Sequence, residues 1–224
     1  MKGIVLLSGG LDSTTVLAIA KGECKEVQAL SFDYGQRHKK ELLCTKKIAK
    51  FYNVRHRIIK LDLSICRSAL IGKNQKITGR KKKVGIPTTY VPARNTIFIS
   101  FALGYAESIN ADAIYIGANS IDYSGYPDCR PEYYDAFRKL VKLGTRAGAE
   151  GKEIKILTPL INMRKSEIIR KGIELSVPYE LTWSCYKGGK KACGTCDACQ
   201  LRINGFRDAG YEDPIEYEAR NDCK

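Results

Sequence analysis

The chain has 224 residues, of which 44% are hydrophobic and 28% charged, a composition typical of a globular protein that buries an apolar core. It contains 38 Lys and Arg against 24 Asp and Glu, and the net charge of +14 favours polyanionic ligands such as ATP, pyrophosphate or RNA. The apolar run at residues 4–7 is too short for a signal-peptide core, and no run approaches the ~18 apolar residues of a membrane span. We therefore expect a cytoplasmic protein without membrane contact.

Short apolar runs alternate with amphipathic stretches along most of the chain. The runs predict buried strands at residues 3–7, 27–32, 56–61, 113–117 and 154–157. The stretches predict helices at residues 13–21, 39–52, 95–108, 132–143 and 165–171. This alternation is typical of an α/β fold with a doubly wound, Rossmann-like parallel sheet, whose ligands gather at the carboxyl ends of the strands.

Two segments depart from this alternation. Residues 72–89 are rich in Gly, Lys and polar residues without periodicity, which predicts a mobile loop or lid. After about residue 160 the chain becomes rich in Cys and Gly. We place the α/β domain at residues 1–160 and a small helical, metal-binding region at residues 161–224.

The first strand ends in a candidate anion-binding loop. Two glycines let backbone N–H groups approach an anion, three hydroxyl groups add donors, and the helix that follows adds its dipole. The loop lacks the spacing of the Walker motif and of the GxGxxG fingerprint. A glycine turn that only caps the helix is the alternative. The loop residues are Ser8, Gly9, Gly10, Leu11, Asp12, Ser13 and Thr14.

Two further loops carry polar side chains where a parallel sheet builds its binding site. Residues 31–38 follow the second strand, and residues 117–130 follow the fourth. The carboxylates of the loop at residues 117–130 would accept hydrogen bonds from a guanine-like ring, and its tyrosines would stack on it. His38 precedes a predicted helix, where a capping or packing role is equally typical. The candidate substrate-binding residues are Asp33, Tyr34, His38, Asn119, Asp122, Tyr123, Tyr126, Asp128 and Arg130.

Two basic residues lie at the starts of predicted helices. Arg94 belongs to the string Val-Pro-Ala-Arg-Asn at residues 91–95, and Lys165 opens the helix after the fifth strand. Cations in these places would stabilise the charge that develops on a departing phosphate. Basic residues at helix starts are also commonly solvated. We take both as candidate catalytic residues.

Four of the nine cysteines follow a C-x7-C-x2-C-x2-C pattern. The C-x2-C spacing brings two thiolates onto one metal, and four thiolates suit a closed, structural Zn²⁺ site. An iron–sulfur cluster is the alternative, and a disulfide is the least expected outcome in a reducing compartment. The candidate metal ligands are Cys185, Cys193, Cys196 and Cys199.

The motif S-G-G-x-D-S-T at residues 8–14 resembles the signature of the PP-loop ATP pyrophosphatases, which have the adenine nucleotide alpha hydrolase-like fold. Three further motifs narrow the resemblance: D-Y-G-Q-R-H at residues 33–38, V-P-x-R-N at 91–95 and D-Y-S-G-Y-P-D-C-R at 122–130. With the cysteines, they make the chain similar to the 7-cyano-7-deazaguanine (preQ0) synthase family, in order from residue 8 to residue 202.

This resemblance implies a ligase that uses ATP and ammonia to convert 7-carboxy-7-deazaguanine into the nitrile, for queuosine or archaeosine in tRNA. The implied intermediates are an acyl adenylate and an amide, and AMP and pyrophosphate are released. Residues 8–14 would bind ATP with Mg²⁺, and Asp12 would orient the loop or approach that metal. The resemblance also implies one Zn²⁺ per chain on the cysteines, Lys165 as a phosphate ligand, small-molecule substrates without direct nucleic-acid contact, and a homodimer.

Two other functions remain to be weighed. A tRNA sulfur transferase of the same superfamily fits the positive charge and the cysteines, but it would need a catalytic cysteine or an iron–sulfur cluster. A zinc-dependent nucleic-acid-binding module would leave the loop at residues 8–14 unexplained.

Overall fold

The computed structural model describes residues 1–71, 85–121 and 125–218. Most of the predicted loop at residues 72–89 lies outside these ranges, as do the candidate substrate residues Asp122 and Tyr123.

Five parallel strands form one sheet with the order β3-β2-β1-β4-β5. The central strand β1 pairs with β2 on one side, with Leu6 opposite Leu30, and with β4 on the other, with Val5 opposite Tyr115. The strand order reverses between β1 and β4, where doubly wound sheets bind their ligands. The strands are β1 (Lys2–Leu6), β2 (Glu26–Asp33), β3 (Arg55–Lys60), β4 (Ala113–Tyr115) and β5 (Lys155–Leu157).

Seven α-helices are present in the described part of the chain. Every predicted strand and helix is confirmed, with ends that differ by up to three residues, and α5 and α7 were not predicted. No described helix has the length and apolarity that crossing a membrane requires. The helices are α1 (Leu11–Glu23), α2 (Lys40–Phe51), α3 (Arg94–Ser108), α4 (Pro131–Gly144), α5 (Arg146–Ala149), α6 (Lys165–Glu174) and α7 (Asp197–Ala209).

The sheet separates two hydrophobic cores because successive side chains of a strand point to opposite faces. Val5 and Tyr115 belong to the core beneath α1, α2, α6 and α7. Ile4 and Ile114 belong to the core beneath α3 and α4. Helices therefore cover both faces, as the alternation of elements predicts.

The C-terminal region shares the first of these cores. Helix α7 packs on α6 and buries Phe206 and Ala209 in the same cluster as Leu160 and Val16 of the α/β part. The four cysteines form a separate small cluster with Trp183. The predicted boundary at residue 160 thus crosses a continuous core, and the division into two domains stays a prediction.

A buried ion pair fixes α7 to the segments on either side of it. The guanidinium of Arg202 donates to both carboxylate oxygens of Asp213, at 2.8 and 2.9 Å, and the side chains are 2% and 7% exposed. It also donates to the Thr182 hydroxyl at 2.6 Å and to the Tyr179 carbonyl at 3.0 Å. This bidentate geometry satisfies two buried charges at once.

We expect Arg202→Ala to lower the free energy of unfolding by about 3–5 kcal/mol, because it leaves the Asp213 carboxylate buried without its partner. Arg207 on the same helix pairs with Asp208, but those side chains are 70% and 56% exposed. Arg207→Ala should therefore cost less than about 1 kcal/mol. Denaturant unfolding measures both, and equal losses would contradict this role for the buried pair.

Candidate active site

A cavity of about 350 Å³ opens at the carboxyl ends of β1, β2 and β4. Its volume is in the range of small-molecule sites, and its position at the reversal of strand order agrees with the sequence-based expectation. The predicted site residues that line it are Ser8, Gly10, Leu11, Asp12, Ser13, Tyr34, His38, Arg94, Asn119, Tyr126 and Lys165.

The candidate anion-binding loop at residues 8–14, called the phosphate loop for this predicted role, turns sharply at Gly9 and Gly10. Gly9 has a φ of +83°, and a Cβ there would lie 2.5 Å from the carbonyl oxygen of Glu41 at the start of α2. The Gly10 carbonyl accepts hydrogen bonds from Ser13 Oγ at 3.1 Å and Thr14 Oγ1 at 2.8 Å. Gly9 and Thr14 therefore fix the conformation of the loop and do not line the cavity.

The end of β4 approaches the start of α1 very closely. A Cβ on Gly117 would lie 2.9 Å from the backbone nitrogen of Ser13, so this position requires glycine. Two residues later, Asn119 Nδ2 donates to the Leu160 carbonyl at 3.3 Å and to the Met163 carbonyl. Asn119 thereby fixes the turn that leads into α6, and Lys165 begins that helix.

Lys165 lies against the phosphate loop. Its Nζ donates to both carboxylate oxygens of Asp12, at 2.7 and 2.8 Å, and the Lys165 and Asp12 side chains are 14% and 28% exposed. The structure therefore brings a cation from residue 165 to the loop at residue 12. An anion in the cavity would have this ammonium group within reach.

Arg94 lies in the cavity wall contributed by α3. Its Nη1 is 3.4 Å from the hydroxyl of Tyr34, and its guanidinium carbon is 5.9 Å from the centre of the Tyr34 ring. The Tyr34 ring packs edge-on against Phe98 with centroids 5.3 Å apart. Burial raises the pKa of Tyr34, so its phenol is neutral at physiological pH.

His38 lines the cavity next to the cysteine cluster. A Cβ atom added to Gly188 would lie 2.5 Å from Cγ of the His38 ring, so the imidazole packs directly against this glycine. Burial lowers the pKa of His38, and its buried Nδ1 has no hydrogen-bond partner among the described residues. Hydrogen bonds with backbone groups of Cys185 and Tyr186 act against this lowering of the pKa, so part of the hydrogen-bonding capacity of the ring is used within the protein.

Three predicted substrate residues have other contacts and do not line the cavity. Asp33 pairs with Lys39 at 2.9 Å. The buried carboxylate of Asp128 accepts from the backbone N–H of Asn95 at 3.2 Å, in the first turn of α3. Arg130 is exposed and precedes α4. The geometry gives Asp128 a helix-capping role, and its substrate role stays a prediction.

Glu41 is a cavity residue that sequence reasoning missed. Burial raises the pKa of its carboxyl to about 7, although the positive charge of Arg94 acts in the opposite direction. An acidic residue in the first turn of a helix is ordinarily explained by the helix dipole. No pattern in the sequence distinguishes Glu41 from such a residue.

The four predicted metal ligands come together. Their ligand atoms all lie within 4.8 Å of one another, and the sulfur atoms of Cys193 and Cys199 are 3.9 Å apart. A tetrahedral site with metal–sulfur distances of about 2.3 Å needs sulfur–sulfur distances of about 3.8 Å. Hydrogen bonds from the Cys196 and Cys199 thiols lower the pKa of Cys185. All four side chains are buried, and the donor set fits a closed thiolate site.

Trp183 connects this cysteine cluster with the phosphate loop. Its backbone N–H donates to the Gly9 carbonyl at 2.9 Å, and its indole Nε1 donates to the Cys185 carbonyl at 2.8 Å. The Nζ of Lys40 lies 3.7 Å from the centre of the indole ring and also donates to the Gly189 carbonyl at 2.7 Å. The cysteine cluster thus supports the loop through Trp183, which itself lines the cavity.

Comparison with known proteins agrees with the resemblance seen in the sequence. The family model described as queuosine biosynthesis protein QueC matches residues 2–210. The chain is 53% identical over 220 residues to the 7-cyano-7-deazaguanine synthase of Acetivibrio thermocellus, with 98% of this chain and 99% of that protein covered. It is 55% identical over 220 residues to the 7-cyano-7-deazaguanine synthase of Thermoplasma volcanium, with 96% and 90% covered.

Among solved structures, the chain resembles a predicted subunit of tRNA methyltransferase from Methanocaldococcus jannaschii. The TM-score is 0.51 at 16% sequence identity, with 99% of this chain and 94% of that chain covered. A likeness at this identity shows the fold alone.

We expect Gly9→Ala to weaken ATP binding at least about tenfold, because the new methyl group would displace the loop from the start of α2. Gly35 is a matched control, since its φ is +82° but no atom lies within 4 Å of its Cβ position. Gly35→Ala should cost only the left-handed strain, about 1–2 kcal/mol. Calorimetry and denaturant unfolding measure both effects, and equal ATP affinities would contradict this role for Gly9.

Proposed function

The chain belongs to the QueC family of queuosine biosynthesis proteins, and on that premise we propose that it makes 7-cyano-7-deazaguanine from 7-carboxy-7-deazaguanine, ATP and ammonia. The observation that carries the proposal is one cavity that joins the phosphate loop, Lys165 and Arg94. Relatives with this name match the chain over nearly its full length.

The phosphate loop would hold the pyrophosphate part of ATP. The hydroxyl groups of Ser8 and Ser13 lie 3.0 Å apart and both belong to the cavity wall. The first N–H groups of α1 have no partner within the helix, and the helix dipole favours an anion there. Lys165 would leave Asp12 in part and contact the phosphates, which carry more negative charge than one carboxylate.

The reaction would proceed by adenylation of the substrate itself. A carboxylate oxygen attacks the α-phosphorus and pyrophosphate leaves, which converts a poor leaving group into a good one. Ammonia then displaces AMP to give the amide. A second adenylation of the amide oxygen, followed by loss of AMP and of the N–H protons, leaves the C≡N group. Arg94 and Lys165 would stabilise the negative charge that develops on the leaving groups.

Two metals belong to this proposal. Mg²⁺ would neutralise phosphate charge, and the Asp12 carboxylate with the hydroxyl oxygens of the loop is a donor set that suits it. Zn²⁺ would be held by the cysteine cluster, whose four thiolates leave no open position, and it would therefore be structural. A homodimer, a cytoplasmic location and the absence of direct RNA contact are further parts of the proposal that rest on the family.

The sulfur-transferase alternative is less well supported. Cys129 is the cysteine that lines the cavity among the described residues, and burial raises its pKa to about 11. A thiol with that pKa is almost wholly protonated at neutral pH, whereas sulfur transfer through a cysteine requires the thiolate. The family match also favours nitrile synthesis.

The purified protein should form AMP, pyrophosphate and the nitrile from ATP, ammonium and 7-carboxy-7-deazaguanine, and no AMP without the carboxylate. Lys165→Ala should lower this turnover by about 10²-fold or more, as expected for loss of one charge-stabilising donor. Lys171 on the same helix is exposed and pairs with Glu174.

Lys171→Ala is the matched control, and its turnover should stay within about twofold of wild type, since surface ion pairs contribute little. Chromatography with mass spectrometry measures all products. AMP formation that requires tRNA and sulfide would contradict the proposed reaction, and equal turnover in the two variants would contradict the role of Lys165.

We expect about one zinc per chain and a colourless protein, because four buried thiolates suit zinc in a closed site. Elemental analysis and absorption spectroscopy of the protein as purified check this. A brown protein that contains iron would instead support a cluster and sulfur transfer.

A further inference from the structure

Glu41 is a cavity carboxylate that forms no close ion pair among the described residues, although the positive charge of Arg94 acts on it. It lies at the second position of α2, and it makes no hydrogen bond or ion pair with any side chain in the described ranges of the chain. The other acidic side chain of the cavity wall, Asp12, is paired with Lys165 at 2.7 Å. The mechanism above uses Asp12, Lys165 and Arg94 but gives no role to Glu41.

The backbone places Glu41 beside the phosphate loop. Its carbonyl oxygen is the atom that a Cβ on Gly9 would meet at 2.5 Å, so α2 begins directly against the loop. The charges that act on its carboxyl are those of Arg94 on α3 and Cys185 in the cysteine cluster. Its own charge acts in turn on Tyr34 and Cys44. Glu41 therefore starts beside the proposed phosphate site, and its carboxyl group is near enough to Arg94 for the two charges to interact.

The charge of the cavity explains why a free carboxylate is needed there. Of the four basic side chains in the cavity wall, Lys165 is paired with Asp12 and Arg202 with Asp213, and the positive charges of Arg37 and Arg94 are added to these pairs. Such a field attracts ATP but repels ammonium, which is the main form of ammonia at neutral pH. The nucleophile must be neutral ammonia, so a site that uses ammonium has to bind a cation and remove a proton from it.

We propose that Glu41 forms the ammonium site of this enzyme and accepts the proton that turns ammonium into the attacking ammonia. This inference rests on the proposed function. One N–H bond of ammonium breaks and its proton moves to the Glu41 carboxylate. The nitrogen lone pair then forms the C–N bond at the acyl carbon, the C–O bond to AMP breaks with its electron pair, and the second proton leaves with the AMP phosphate.

Glu41→Gln tests the site because it keeps the shape of the side chain and removes its charge. For ammonium chloride at pH 7, kcat/KM should fall at least about tenfold, with a rise in KM. Hydroxylamine is neutral at this pH and needs no such base. Formation of the hydroxamate from hydroxylamine should therefore stay within about twofold of wild type, as should ATP–pyrophosphate exchange with the carboxylate substrate.

Glu132 provides a matched control, because it is the second residue of α4, as Glu41 is of α2, and it is exposed. Glu132→Gln should leave all three assays unchanged, and thermal melting should show that both variants fold. Equal losses with both nucleophiles, a loss of pyrophosphate exchange or no loss at all in Glu41→Gln would each overturn the ammonium site. Absence of carboxylate-dependent exchange in the wild type would instead overturn the proposed function.

Discussion

The left-handed turn at Gly9 is the constraint on which the site depends. The Cα of Gly9 lies so close to the carbonyl of Glu41 that no side chain fits between them. The carbonyl of Gly9 accepts a hydrogen bond from the backbone N–H of Trp183. The central strand, the start of α2 and the cysteine cluster therefore meet at one residue. Because the turn leads directly into α1, the same contacts decide where the helix dipole and the loop hydroxyls point.

The charges of the cavity are arranged in two different ways. Asp12 and Lys165 neutralise each other across the loop, so a half-buried cation is held beside the cavity without an unpaired charge. Arg94 and Glu41 are not joined by an ion pair, and each faces the cavity. A polyanion and a small cation can therefore find separate partners in one small space. Such separation of charge suits the reaction proposed above.

The sequence predicts most of this fold because buried parallel strands are continuous apolar runs and their helices are amphipathic. Helix α7 was missed because Cys199, one of its buried residues, and Cys196, which precedes its first residue, were assigned to a metal site. The phosphate loop and the cysteines could be predicted because adjacent residues carry the chemistry. The position of Glu41 in the cavity could not, since it depends on the distance between α2 and Gly9. Asp128 belongs to a motif that the sequence makes recognisable, but the contact of its carboxylate with the first turn of α3 could not be predicted from that motif.

The shared core beneath α7 bears on how the enzyme can move. Phe206 and Ala209 pack in the same cluster as Val16 on α1, whose first turn forms part of the phosphate loop. Close-packed cores resist sliding, because any displacement opens a void. The cavity walls contributed by the two ends of the chain therefore behave as one rigid unit. Little binding free energy is then needed to assemble them, and more of it remains to hold the substrates in reacting positions.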